Sequence, residues 1–361
     1  MTTINDKVYD GIFWNLRATL TYNRLINFII GNRGGGKTYG SKEWCIDDFI
    51  KNKNQFGYIR RYKEDLQKSM PTFFNDIKGA YPDYQFKVEG NKFYIRLTPA
   101  NEKEKWKDED IAGYGFVLST ANNLKSIAFP DIATLVFDEF LLEKGLQQYL
   151  SDEPLKLLNL YETIARPGTN HKRVRLFMLA NAISVTNPYF LFFDLKMPTK
   201  QDKNGKWVWL HPTKPILVED VRNEKFIDRK NNTEFGSLVK GTKYADYSIE
   251  NKFLLDDSTF IEKKSPKARY FLTFTYKEKQ YGVWYDLNAG KMWVSNDVDP
   301  SFLLNYSLTL KDHSPNTILF KTKTKRGYLK TFIDCYKDGC VYFENMNIKN
   351  LCYEVFKMIL S

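Results

Sequence analysis

One stretch constrains this chain more than any other: Ile29-Ile30-Gly31-Asn32-Arg33-Gly34-Gly35-Gly36-Lys37-Thr38-Tyr39-Gly40. Three adjacent glycines carry a large cost in backbone entropy, so a fold that keeps them uses their freedom. The apolar run Leu25–Ile30 before them predicts a buried strand, and the spacing over Tyr39–Lys51 predicts a helix. Between the two, Gly31–Thr38 fits G-x-x-x-x-G-K-[ST] in the strand-loop-helix setting that a phosphate loop requires. Glycines allow the backbone N–H groups to turn inward around an anion with no Cβ in the way. The following helix adds the positive end of its dipole. In such a loop Lys37 reaches the β- and γ-phosphates and the Thr38 hydroxyl ligates Mg²⁺. The candidate nucleotide contacts are therefore Gly31, Arg33, Gly34, Gly35, Gly36, Lys37, Thr38 and Tyr39. A plain glycine-rich turn beside a lysine would not need this context.

A phosphate loop that hydrolyses needs an acid at the end of a neighbouring apolar strand. Ala133-Thr134-Leu135-Val136-Phe137-Asp138-Glu139 supplies two. Asp138 is the candidate for the Mg²⁺ shell, and Glu139 for the general base that polarises water. The strand Arg173–Ala180 leads to Asn181, placed either to sense the γ-phosphate or simply to cap the strand. Asn91-Lys92 is followed by Phe93-Tyr94, so no N-K-x-D guanine reader is present there, and ATP is expected rather than GTP.

Further strands are expected at Phe56–Arg61, Tyr84–Val88, Lys92–Leu97 and Gly115–Ser119, with a helix at Pro154–Ala165. That helix begins after the cap-like pair Ser151-Asp152 with a proline in its first turn. Apolar strands alternating with helices predict an α/β domain with a mostly parallel sheet over residues 1–205. Residues 206–257 read as a charged linker region. From 258 to 361, Ala268–Tyr276, Tyr281–Leu287 and Met292–Ser295 read as antiparallel strands, closed by a helix at Ile348–Ile359.

The 361 residues fit two domains. Twenty-seven Phe and 23 Tyr argue for a folded chain. A formal net charge of +11 suggests an anionic partner. Cys45, Cys335, Cys340 and Cys352 form no CxxC pair, which disfavours a zinc site or a disulfide framework. No apolar run approaches the roughly 20 residues of a membrane helix, and MTTINDKVYDG lacks a signal pattern. A soluble protein of the cytosol is expected.

Long blocks resemble the DNA-packaging (encapsidation) ATPases of small short-tailed phages, the group typified by phage phi twenty-nine. They include RLINFIIGNRGGGKTY (24–39), FGYIRRYKEDL (56–66), LKSIAFPDIATLVFDEF (124–140), LLNLYETIARPG (157–168) and LANAISVTNPYFLFFDL (179–195). The resemblance runs on, more weakly, to the closing helix. It implies an ATPase fold of the ASCE type and a motor that hydrolyses Mg-ATP in a ring of identical subunits, a pentamer. It further implies docking on the portal vertex of an empty capsid in the host cytoplasm, where double-stranded DNA is driven inward. Whether a structural RNA lies between ring and portal is left open. It also implies that Arg166 completes a neighbour's site in trans, and that Lys125, near the subunit boundary, contacts the nucleotide phosphate in trans or carries DNA. The last third resembles a ribonuclease-H-like domain. Its leading strand Tyr270–Tyr276 carries no acid, and Asp286, Asp334 and Asp338 form no convincing cluster, so a domain without nuclease activity is expected.

DNA contact in such a motor is expected to be phosphate contact by Lys and Arg. Arg60-Arg61-Tyr62-Lys63 and Lys321–Arg326 are the candidates. Other readings are a helicase or replication initiator, for which the further helicase motifs are not found, and a nucleotide-gated scaffold, against which Glu139 argues.

Overall fold

In a computed structural model, residues 13–99, 101, 104–124, 126–142, 149–181, 187–222, 224–242, 260–320 and 327–360 are described. The chain divides into two units, Met1–Leu255 and Asp256–Ser361.

Strand β1, Ile26–Gly31, is buried along its whole length. Its side chains alternate between faces. Phe28 and Ile30 enter one hydrophobic cluster with Phe137, Leu160 and Phe190, while Ile29 enters another with Ile46, Phe49 and Phe177. A strand apolar on both faces belongs inside a covered parallel sheet. The other strands of this unit are β2 (Gln55–Arg60), β3 (Tyr84–Glu89), β4 (Lys92–Leu97), β5 (Ile111–Val117), β6 (Ile132–Asp138), β7 (Arg175–Asn181), β8 (Val208–Leu210) and β9 (Ile216–Val221). Among the described residues they form one sheet in the order β3-β4-β5-β2-β6-β7-β1-β9-β8. The inner strands β5, β2, β6, β7, β1 and β9 pair in parallel in that order, and β3, β4 and β8 are antiparallel additions at the edges. The helices are α1 (Leu16–Leu20), α2 (Lys37–Asn52), α3 (Lys63–Ser69), α4 (Glu153–Ile164), α5 (Pro188–Phe193), α6 (Glu224–Asn231) and α7 (Glu234–Val239). The expected α/β architecture holds.

Three expectations need correction. The strand expected at Gly115–Ser119 is Ile111–Val117. Its glycines do not break it, because the sheet uses them for close packing: a Cβ on Gly113 would lie 2.5 Å from the Phe56 carbonyl oxygen. The expected linker at 206–257 does not begin at 206, since β9 pairs with β1 from Ile26↔Ile216 to Gly31↔Val221. Buried Glu219 and Asp220 disguise that strand as polar. They are tolerated because each is paired, Glu219 with the Thr19 hydroxyl at 2.5 Å and Asp220 with Arg222 at 2.6 Å. Finally, α4 is not capped by the side chains of Ser151 and Asp152. Asp152 is the N-cap residue with φ of 50° and makes no side-chain cap bond, and the Glu153 carboxylate accepts from Leu150 N instead.

In the second unit β10 (Arg269–Tyr276), β11 (Lys279–Asp286), β12 (Lys291–Ser295), β13 (Asn305–Ser307), β14 (Ile318–Leu319) and β15 (Val341–Phe343) form a mixed sheet. Its order is β14-β13-β10-β11-β12-β15. β10, β11 and β12 are antiparallel, and β13, β14 and β15 add in parallel. The β10–β11 connection is the pair Lys277-Glu278, both at positive φ, as a two-residue hairpin of this hand requires. The Asp312 carboxylate accepts from both of their N–H groups. Helices α8 (Tyr328–Lys337) and α9 (Met346–Leu360) follow.

Candidate nucleotide-hydrolysis site

β1 ends at Gly31, level with Asn181 at the end of β7. Gly31 also lies against β9, where a Cβ would meet that of Val221 at 2.6 Å. The chain then turns through Gly34 and Gly36, both at φ of 84°, a region that side chains disfavour. Gly36 is the N-cap residue of α2, so Lys37 and Thr38 form that helix's first turn. The expected helix start at Tyr39 is thus two residues late.

Lys37 is 7% exposed. Its Nζ donates to the carbonyls of Gly31 at 3.0 Å and Asn32 at 2.7 Å, and to Asn181 Oδ1 at 3.4 Å. Burial lowers its pKa to about 8, with Asp138 working against the shift and Lys230 adding to it. The Thr38 hydroxyl lies 3.3 Å from each carboxylate oxygen of Asp138. Burial pushes the Asp138 carboxyl above its ordinary range, and Glu139 adds to that, while Arg60, Tyr58 and Thr38 oppose it. Tyr58 donates to Asp138 Oδ2 at 3.3 Å.

Glu139 sits just past β6 at φ of 61°, with its side chain 65% exposed. Arg60 Nη2 donates to Glu139 Oε2 at 2.6 Å, and Arg60 Nη1 lies 3.8 Å from Asp138 Oδ2. One guanidinium thus bridges the two acids at the strand end. Nothing in the sequence pattern marked Arg60 for this. The signal lay in strand register, since Ile59 pairs with Phe137 and the next residue on each strand is Arg60 and Asp138. Arg60 and Arg61 are accordingly misplaced as a DNA surface. Arg61 is 3% exposed, with Nε and Nη2 on the Glu153 carboxylate at 2.8 and 2.9 Å.

Of the candidate residues, the phosphate-loop glycines Gly31, Gly34, Gly35 and Gly36, together with Lys37, Thr38, Asp138, Glu139 and Asn181, meet at the carboxyl ends of the parallel strands. Arg33 is exposed at the loop tip. Tyr39 is 38% exposed on α2. Arg166 follows α4 at the opposite edge of the sheet. Its carbonyl accepts from Asn170 N, and the Asn170 side chain donates to the carbonyl of Ile132, the first residue of β6. The length of β6, about 20 Å, separates that turn from Asp138. Lys125 and Lys321–Arg326 lie outside the described residues.

The region expected as linker also reaches the loop. Lys230 Nζ on α6 donates to the Arg33 carbonyl at 3.0 Å, and the Phe226 ring lies 3.7 Å from the Cβ position of Gly34.

A depressed Lys37 predicts a pH dependence. A lysine lowered to about 8 is a cation below that pH and is lost as an anion partner above it. Affinity for a fluorescent ATP analogue is expected to be level below about pH 8 and to weaken up to about tenfold per unit above it. In Lys37→Arg, whose cation persists, the profile should flatten. A level profile to pH 9.5 in the parent chain would contradict this role.

The podovirus DNA encapsidation protein (Gp16) family matches residues 8–360 of this chain. The DNA packaging protein of Bacillus phage phi29 is 37% identical over 347 residues, covering 96% of this chain and 98% of that protein. The DNA packaging protein of Bacillus phage B103 is 35% identical over 338 residues, covering 94% and 98%. Among solved structures, the bacteriophage phi29 viral genome packaging motor assembly matches with a TM-score of 0.75 at 36% identity, over 96% of this chain and 99% of the other. The phi28 gp11 DNA packaging motor shares the fold, with a TM-score of 0.63 at 21% identity over 97% and 98%. The chain belongs to the podovirus DNA encapsidation protein family.

Proposed function

We propose that this chain is the ATP-hydrolysing subunit of a motor that drives double-stranded viral DNA into a preformed capsid. The observation that carries the reading is the convergence of Lys37, Thr38, Asp138, Glu139 and Asn181 at one strand-end edge, in a chain of this family.

The residues fit Mg-ATP. Two glycines at positive φ precede a buried lysine on a helix N-terminus, a cradle suited to phosphate. A hydroxyl and a carboxylate converge from Thr38 and Asp138, the hard oxygen donors that Mg²⁺ prefers. When bound, Mg-ATP supplies the phosphoanhydride and a divalent counter-charge. The chain supplies the rest. Lys37 sets a cation against phosphate charge, and Asn181 fixes that ammonium from the neighbouring strand. Glu139 accepts a proton from water. Arg60 holds the Glu139 carboxylate by one oxygen.

Arg166 completes the site of a neighbour. It lies about a strand's length from its own chain's Asp138, beyond the reach of a side chain, so any role at a nucleotide requires another copy. This supports a closed ring, which we assign as a pentamer docked at the portal in the host cytoplasm, with Lys125 near the boundary between subunits. A structural RNA is a further candidate partner. Among the described residues no helix is long and apolar enough to cross a membrane.

For the second unit we propose a ribonuclease-H-like domain without nuclease activity. In support, three antiparallel strands are followed by β13 and β14, which add in parallel on the β10 side, and by β15, which adds in parallel beside β12. Its first strand, Arg269–Tyr276, carries no acid. Asp286 is engaged in its own turn, accepting from Asn288 N and Ala289 N, and Asp334 pairs with Lys330.

Two measurements test these assignments. ATP turnover of the purified chain should rise on adding double-stranded DNA and fall about 10²–10⁴-fold in Glu139→Gln; equal turnover in that variant would remove the base assignment. Incubation of plasmid with the protein and Mn²⁺ should leave the DNA intact. Cleavage that disappears in Asp286→Ala would show an active nuclease.

A further inference from the structure

A second polar cluster lies at the edge where the parallel strands begin, away from the phosphate loop. Thr134 and Arg175 are paired there, near the start of β6 and at the start of β7. A cavity of about 290 Å³ opens beside them, lined by Trp44, Asp48, Asn54, Lys172, Arg173 and Arg175, among others. Arg173 and Arg175 are two residues apart, which in extended chain puts both side chains on one face. Asn23, held at φ of 53°, clamps the two guanidinium groups together. Its Oδ1 accepts from Arg173 Nη1 at 2.6 Å and from Arg175 Nη2 at 3.4 Å, and its carbonyl accepts from Arg173 Nη2 at 3.0 Å.

The cluster holds more donors than the protein satisfies. Arg175 Nε is buried without a hydrogen-bond partner, and so is Nε of the nearby Arg24. The carboxylate among the cavity's lining residues is Asp48, which already accepts from Asn52 and Asn54 at 2.7 to 3.1 Å. Three cations therefore face one committed anion. Burial and the neighbouring Arg173 lower the Arg175 pKa, against the pull of Asp48. Holding like charges together in this way costs stability that a bound anion would restore.

We propose that this cleft grips the phosphodiester backbone of double-stranded DNA through Lys172, Arg173 and Arg175. The inference rests on the motor reading above and gives it a DNA contact on the edge opposite the ATP site. Guanidinium forks suit phosphate oxygens, and contacts to phosphate carry no sequence information, as a motor for any DNA requires. Lys172 and Arg173 are exposed at the cleft mouth, where a duplex can reach them.

The test is fluorescence anisotropy of a short labelled DNA duplex with the full chain, titrated across salt concentrations. In Arg173→Gln/Arg175→Gln the affinity should drop at least tenfold near physiological salt. The slope of log K against log salt should become shallower by about 2, at about 0.9 per lost phosphate contact. Arg173→Lys/Arg175→Lys should keep the slope, which a purely structural clamp on Asn23 would not predict. If the glutamine pair does not fold, the exposed Lys172→Gln alone should lower the slope by about 1. ATP turnover without DNA should be unchanged throughout. Unaltered affinity and slope in the folded glutamine variants would overturn the proposal. So would a loss confined to an A-form RNA duplex. Failure of the parent chain to bind any DNA would instead overturn the motor reading on which the proposal rests.

Discussion

The register of four parallel strands decides where chemistry can occur in the first unit. Gly31 is level with Asn181, Asp138 with Leu179 two residues before it, and Ile59 with Phe137. A loop, a polar strand end, an acid and an arginine are thereby delivered to one edge by backbone hydrogen bonds alone. Lys37 then has a buried position facing two loop carbonyls and Asn181. A slip of one residue in any of these strands would turn its side chains to the other face and scatter the set.

The same sheet has two working edges, and α4 runs between them. Its first residue, Glu153, is fully buried and receives Arg61 from the end of β2 and the Tyr189 hydroxyl at 2.7 Å. Its twelve residues span about 18 Å and lead to the turn carrying Arg166, tied by Asn170 to the start of β6. Hydrolytic groups gather at the strand ends, and Arg166, Lys172, Arg173 and Arg175 gather at the strand starts. Such a subunit presents its own phosphate loop on one edge and the basic groups we assign to a neighbour and to DNA on the other.

Much of this was legible in the sequence, for identifiable reasons. The phosphate loop is written in consecutive residues and flanked by regular periodicity, and the strand ending in Asp138 is apolar but for Thr134. Other features depend on what lies across the sheet. β9 was hidden because Glu219 and Asp220 are buried but paired, so its polarity misleads. β5 was expected only from Gly115 onward, whereas it begins at Ile111, and its Gly113 and Gly115 make room for Phe56 and for Leu66 and Met70. Arg60 looked like part of a basic surface run, and only its alignment beside Asp138 shows that it bridges the two acids. Lys230 is nearly 200 residues from the loop it touches, and no local pattern connects them.

In the mechanism we propose, hydrolysis needs two chains, one giving the phosphate loop and one giving Arg166. The most direct measurement is ATP turnover in mixtures of Lys37→Ala and Arg166→Ala subunits, each inactive alone. Mixing should restore part of the activity, because some boundaries then pair an intact Lys37 with an intact Arg166, and turnover per subunit should rise with protein concentration. An Arg166→Ala chain that hydrolyses ATP like the parent, at a rate indifferent to concentration, would contradict it.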